Sequence, residues 1–95
     1  MTLHIITRSD SQSQSINHCL SFVSENDILL FIEDGTYCIL NNALSERILS
    51  KGIQCYYLEA DIAARGLLAD DDVQTVDYNG FVMLTANCNP SQTWG

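Results

Sequence analysis

Four cysteines, two histidines and a run of three aspartates are the side chains of this sequence best suited to chemistry. Cys19, Cys38, Cys55 and Cys88 stand 19, 17 and 33 residues apart. No two of them form a C-x-x-C pair, so neither a zinc knuckle nor a thioredoxin-type dithiol is expected. The opening MTLHIITRSD turns polar too soon for a secretory leader, so reduced thiols in a cytoplasmic protein are the expectation. Free cysteines in such proteins usually serve as small buried hydrophobes. His4 and His18 are too far apart to hold a metal from one helix. His18 precedes Cys19, but adjacent helical residues point about 100° apart and cannot act as a catalytic couple. Asp70-Asp71-Asp72 reads as a solvated connector rather than a cation site. The glycine-rich phosphate loops and the G-x-S-x-G nucleophile elbow are absent, and no metal or cofactor is expected.

One stretch is shaped to present a reactive group. CYYLEADIAARGL, residues 55–67, begins like a strand and ends like a short helix stopped by Gly66. In open α/β sheets, ligands collect at the carboxyl ends of strands. Cys55 lies three residues short of that point, inside the strand, where burial would hide it. Glu59 and Asp61 follow closely, and their charges would raise a thiol's pKa when a nucleophile needs it lowered. Cys55 therefore reads as core. Arg65, in the last turn of the helix, suits the helix dipole as well as it suits a small anion.

The elements that must hold these residues alternate. LHIIT (3–7) is a short apolar strand, and a helix from about Gln12 to Ser24 carries the stripe Ile16, Cys19, Leu20, Val23. DILLFI (27–32) reads as a fully buried strand. Glu33 to Thr36 reads as a turn in which Gly35 can take positive φ. Leu40, Leu44 and Ile48 fall at helical spacing before Lys51-Gly52. IQCYYL (53–58) is a third strand and EADIAAR (59–65) a short helix. VQTVDY (73–78) is a fourth strand, Asp77 or Asn79 caps a last helix GFVMLTANC, and SQTWG trails behind Pro90. Strands alternating with helices imply parallel pairing and right-handed crossovers. The expectation is one domain over residues 1–95. It should be a small doubly wound three-layer α/β fold with a mostly parallel sheet of four to five strands.

Composition says what such a domain would do with its surface. Twelve acidic residues against four basic ones give a formal charge of −8, which argues against direct contact with nucleic acid. No run approaches the roughly 20 apolar residues of a membrane span. Yet 46% of the residues are hydrophobic and the mean hydropathy is +0.03, a surplus for so small a body. Phe81, Val82, Met83 and Leu84 are consecutive and so surround the last helix with apolar side chains. A helix apolar all round must be covered all round, and a chain this short has little to place on the second side. A subunit interface built on Phe81, Val82, Met83 and Leu84, with Trp94 as an anchor, is the expected cover.

The segments LHIITRS, DILLFIEDGTY, YYLEADIAARGL and VDYNGFVMLT…SQTW occur in the order found in one family. Across nearly its whole length the chain resembles the TusB/DsrH members of the DsrE/F/H group. The resemblance implies a place in a heterohexameric sulfur relay beside TusC-like and TusD-like subunits. TusA-like and TusE-like carriers would act upstream and downstream, and the sulfur would end in 2-thiouridine at the tRNA wobble position. It also implies an absence. Catalytic relatives carry the persulfide cysteine about seven residues before an Arg-Gly, where this chain has Leu58 and Glu59. Cys19 matches a first-helix cysteine of DsrH proteins and is the one candidate persulfide thiol. The expected role is therefore a non-catalytic subunit. The alternatives are a DsrH-like subunit of a sulfur-oxidation complex with Cys19 as carrier, or a free-standing homo-oligomer binding a small anion at Arg65.

Overall fold

Two strands made entirely of buried residues form the middle of the molecule. They are β1 (Leu3–Ile6) and β2 (Ile28–Phe31). Near-continuous apolar runs are what a strand needs when both its faces are covered. β3 (Gln54–Leu58) and β4 (Thr75–Val76) extend the sheet on one side, and β5 (Ser91–Trp94) pairs with β1 on the other. The order is β4-β3-β2-β1-β5, and every pairing is parallel. This computed structural model describes residues 1–88 and 90–95.

Alternation along the strands sends side chains to two unequal layers. On one face Ile6, Leu29, Phe31 and Tyr57 meet three helices. Ile16, Cys19 and Leu20 come from α1 (Ser15–Phe22), Leu44 and Ile48 from α2 (Asn42–Ser50), and Ile62 from α3 (Glu59–Ala64). The opposite face, Leu3, Ile5, Ile28 and Leu30, is roofed by Phe81 and Leu84 of α4 (Tyr78–Asn87) and by Cys88 behind it. The doubly wound α/β expectation holds, with three helices on one side and one on the other.

Several boundaries differ from the sequence expectation, each for a local reason. α1 starts at Ser15 rather than Gln12, because Ser9 and its neighbours bond among themselves: the Gln12 N–H donates to Ser9 and the Ser9 N–H to Gln12 Oε1. Such local side-chain bonds compete with helix formation. The expected turn at 33–36 extends as a 3-10 segment, Glu33–Leu40, and Asn41 then caps α2 by accepting from the Leu44 N–H at 3.1 Å. Leu40 thereby falls outside the helix and is exposed. Positive φ in this segment belongs to Glu33 (51°) and not to Gly35. Gly35 is required for another reason: a Cβ there would collide with the Ile6 carbonyl. The fourth strand shrinks to two residues, because Asp77 leaves it to accept from the Gly80 N–H at 2.8 Å and cap α4. The tail becomes a strand: β5 lies in register with β1, Leu3 opposite Ser91 and Ile6 opposite Trp94.

Candidate functional site

The carboxyl ends of β1, β2 and β3 carry the loops in which a doubly wound sheet ordinarily builds its site. An open cleft of about 580 Å³ lies there, lined by Ser9, Asp10, Gln12, Tyr37, Asn41 and Asn42 among others. Beside it stands the one compact charge cluster of the region. Arg65 donates from Nε to Asp34 Oδ1 at 3.0 Å, its Nη2 forms an ion pair with the same oxygen at 3.0 Å, and its Nη1 lies 3.7 Å from Asp61 Oδ1. Hydrogen bonds from Arg65 and from Gln12 hold the Asp34 carboxyl below its ordinary range. The Arg65 guanidinium also sits over the Tyr37 ring, 6.0 Å from its centroid. Two carboxylates therefore already match the charge of Arg65. A small anion would have to displace them, so the anion-binding alternative lacks its cation.

At the turn between β3 and α3, Leu58 occupies the N-cap with only 5% of its surface exposed, and no side chain caps the helix. Glu59 is exposed. The frame for a reactive group is present, and its contents are an aliphatic chain and a carboxylate.

The thiols lie elsewhere. Cys19 sits on the apolar face of α1, fully buried, and burial followed by the Asp27 charge pushes its thiol up to about 12. Cys38 is fully buried in the 3-10 segment, and burial pushes it up to about 11. Cys55 points to the three-helix face beneath a cavity of about 350 Å³ between α2 and residues 72–74. Burial, reinforced by the nearby Cys38, pushes it up to about 12. Cys88 closes α4 against Leu3 and Leu30 and is buried. A thiolate is the nucleophilic form, and burial in apolar surroundings disfavours it. Among the described residues no group of His, Cys, Asp and Glu is arranged to hold a metal ion. Among the described residues no helix is long and apolar enough to cross a membrane.

The residues expected at an interface divide between the two faces of the sheet. None of the residues of α4 is buried within the chain. Phe81 and Leu84 turn inward against the sheet, while Val82 (54% exposed) and Met83 (63%) turn outward together with Tyr78. The cover that a helix apolar all round requires is thus not supplied on its outer side by the described residues of this chain. Trp94 lies across the sheet from them, half-buried on the three-helix face against His4 and Phe22. The five residues do not form one patch. Sequence reasoning also missed the partners of Trp94 and of Arg65: Phe22, His4 and Asp34 are distant in sequence, whereas Asp61 stands four residues before Arg65, a helical spacing that could have signalled the pair.

With this geometry in view, the similarities to known proteins are informative. The family model described as DsrH like protein matches residues 8–91. Protein TusB of Buchnera aphidicola is 31% identical over 94 residues, covering 97% of this chain and 99% of the relative. Protein TusB of Photorhabdus laumondii is 35% identical over 95 residues with the same coverage. Protein TusB of Shigella dysenteriae is 35% identical over 78 residues, covering 79% of this chain and 82% of the relative. The solution structure of a Thermotoga maritima protein superposes with a TM-score of 0.68 at 20% identity, covering 90% of this chain and 92% of that one, a likeness of fold.

Proposed function

The chain belongs to the DsrH-like family, and we propose that it is a non-catalytic subunit of a TusBCD-like sulfur relay that supports 2-thiolation of the wobble uridine in tRNA. In this reading the chain docks TusC-like and TusD-like siblings in a cytoplasmic heterohexamer, through the outer face of α4. Sulfur passes through a sibling's cysteine, between TusA-like and TusE-like carriers, and tRNA contacts fall to other components.

One observation carries the reading: α4 is apolar on both sides and covered on one. Tyr78, Val82 and Met83 project from a helix whose inner residues already pack on the sheet. Contiguous exposed apolar surface of this kind marks a protein–protein site. The thiols agree with a docking role, since Cys19 and Cys38 are fully buried and Leu58 occupies the position where the resemblance places the persulfide cysteine of catalytic relatives. The charge of −8 agrees with leaving tRNA to others.

Co-expression with TusC-like and TusD-like siblings tests the proposal. The wild-type chain should co-purify with them in one assembly by light scattering. Met83→Asp should leave the isolated chain folded and abolish co-purification. Burying a Met side chain is worth about 1.5–3 kcal/mol, and burying an unpaired carboxylate in its place adds several more against assembly. Assembly undiminished by Met83→Asp would show that α4 is not the docking face.

A further inference from the structure

A buried histidine ties the last strand to the first through a hydrogen bond that only one protonation state can make. His4 is 4% exposed on β1. Its Nε2 lies 3.0 Å from Asp27 Oδ2, and its Nδ1 lies 3.1 Å from Trp94 Nε1 on β5. An indole N–H can donate and cannot accept, so Nδ1 must present its lone pair. The ring proton therefore sits on Nε2 and donates to Asp27. Indole chemistry thus selects one neutral tautomer of His4.

We propose that protonation of His4 is a switch that unlatches the C-terminal strand β5 from the sheet. A proton taken from solvent onto Nδ1 places an N–H opposite the indole N–H, two donors with no acceptor, and the bond is lost. The other side of the ring responds differently. Asp27 accepts from the N–H groups of Thr2 and Ser24 as well as from His4. Its carboxyl therefore stays ionised and gains a cation as its partner. The Asp27 contact survives as an ion pair while the Trp94 contact fails, so the response is confined to β5.

The groups that face the His4 ring are few. Asp27 faces it from the turn entering β2, Cys19 of α1 lies near Asp27 as a neutral thiol, and β5 contributes only Trp94. The strand depends heavily on that tryptophan. Ser91, Gln92 and Thr93 are exposed, and Trp94 is the one half-buried residue of β5. Its remaining ties are the pairing with β1, the Trp94 carbonyl accepting from the Thr7 N–H at 3.3 Å and hydroxyl at 3.2 Å, a stack on exposed Phe22, and two flanking bonds. These run from the Leu3 N–H to the Pro90 carbonyl at 3.2 Å and from the Ser15 hydroxyl to the Gly95 carbonyl at 3.3 Å. The His4 bond is the one side-chain hydrogen bond of the inward-facing Trp94, and a short edge strand opens more readily when it is lost. The inference stands on β1, β5 and Asp27 and does not depend on α4 being a docking face.

Trp94 is the chain's only tryptophan and His18 its only other histidine, which makes the test clean. The pH is lowered from about 8 to about 5, the range in which histidine changes charge. NMR follows the His4 ring, the Trp94 indole N–H and amide exchange along β5. The indole signal should shift and β5 amides should exchange about tenfold faster, in step with the His4 ring, while β2 and β3 amides hold their protection. His18→Gln should leave that transition in place. His4→Asn, which can still accept from the indole and cannot titrate here, should abolish it. Should that variant fail to fold, Trp94→Phe decides the matter: without a donor to lose, His4 should take up its proton more readily. The proposal is overturned if β5 stays unchanged while His4 titrates, or if His4 does not titrate in this range. It is equally overturned if the transition follows His18, survives His4→Asn, or if Trp94→Phe leaves His4 titration unmoved.

Discussion

Treating the folded chain with an aromatic disulfide reagent at neutral pH asks directly whether any cysteine here could carry sulfur. Burial raises the Cys19 thiol from 9.0 to about 12. Three units of pKa reduce its thiolate population about a thousandfold, and the thiolate is the form that attacks. Cys38, at about 11, retains about one part in a hundred of the ordinary population. Neither side chain is reachable without opening the helix above it, so native labelling must wait for local unfolding. Release of the reagent's chromophore should therefore proceed at least about 100-fold slower than for a free thiol. In denaturant all four cysteines should react promptly. Cys55, only half-buried and beside a cavity, should be the first to label in the folded chain. Mass spectrometry after exposure to a persulfide donor should find no added sulfur on the folded protein. A cysteine that labels at the free-thiol rate, or retains a persulfide, would refute the reasoning.

Further outcomes follow from single contacts. Gly35→Ala drives a Cβ into the Ile6 carbonyl and should destabilise the fold by about 2–3 kcal/mol. Thermal melting would register that as a drop of roughly 4–8 °C for each kcal/mol. Removing the α4 cap with Asp77→Ala should cost about 1 kcal/mol, read as a lower urea midpoint with an unchanged slope. Burial pushes the Asp27 carboxyl up, but its hydrogen bonds with His4, Thr2 and Ser24 outweigh this and lower it from 3.8 to about 2. A carboxyl depressed by folding stabilises above its unfolded pKa and loses that contribution as pH falls through the folded value. The stability gap between wild type and Asp27→Asn should accordingly be present at pH 4 and close towards pH 2, measured by urea titration at each pH.

Much of this architecture is legible in the residues because it rests on short-range pattern. Ile16, Cys19 and Leu20 announce the buried face of α1 by their spacing, and DILLFI announces a strand covered on both sides by having no polar face. The short helix after β3 and the glycine that stops it, with φ of 65° at Gly66, are equally local. What escaped was set by partners far along the chain. SQTW has one apolar residue and no alternation, and it becomes a strand only because β1 offers an open edge to it. Gly35 looks like a turn glycine, whereas its constraint is an approach to Ile6 across the β1–β2 corner. Trp94 looks like a free anchor near the end of the chain, yet its indole is engaged by a histidine 90 positions away. The α4 face was readable as four consecutive apolar residues. Which of them turn outward was not, because that depends on how the helix rolls onto the sheet.

The central claim, that this chain serves sulfur transfer by docking rather than by carrying sulfur, comes down to the 2-thiouridine content of tRNA. It would be measured in cells whose own copy is replaced by Cys19→Ala or by Met83→Asp. The docking account predicts near-normal 2-thiouridine with Cys19→Ala and a severe loss with Met83→Asp while the variant chain remains folded and abundant. The opposite pattern, thiolation lost with Cys19→Ala and retained with Met83→Asp, would contradict it.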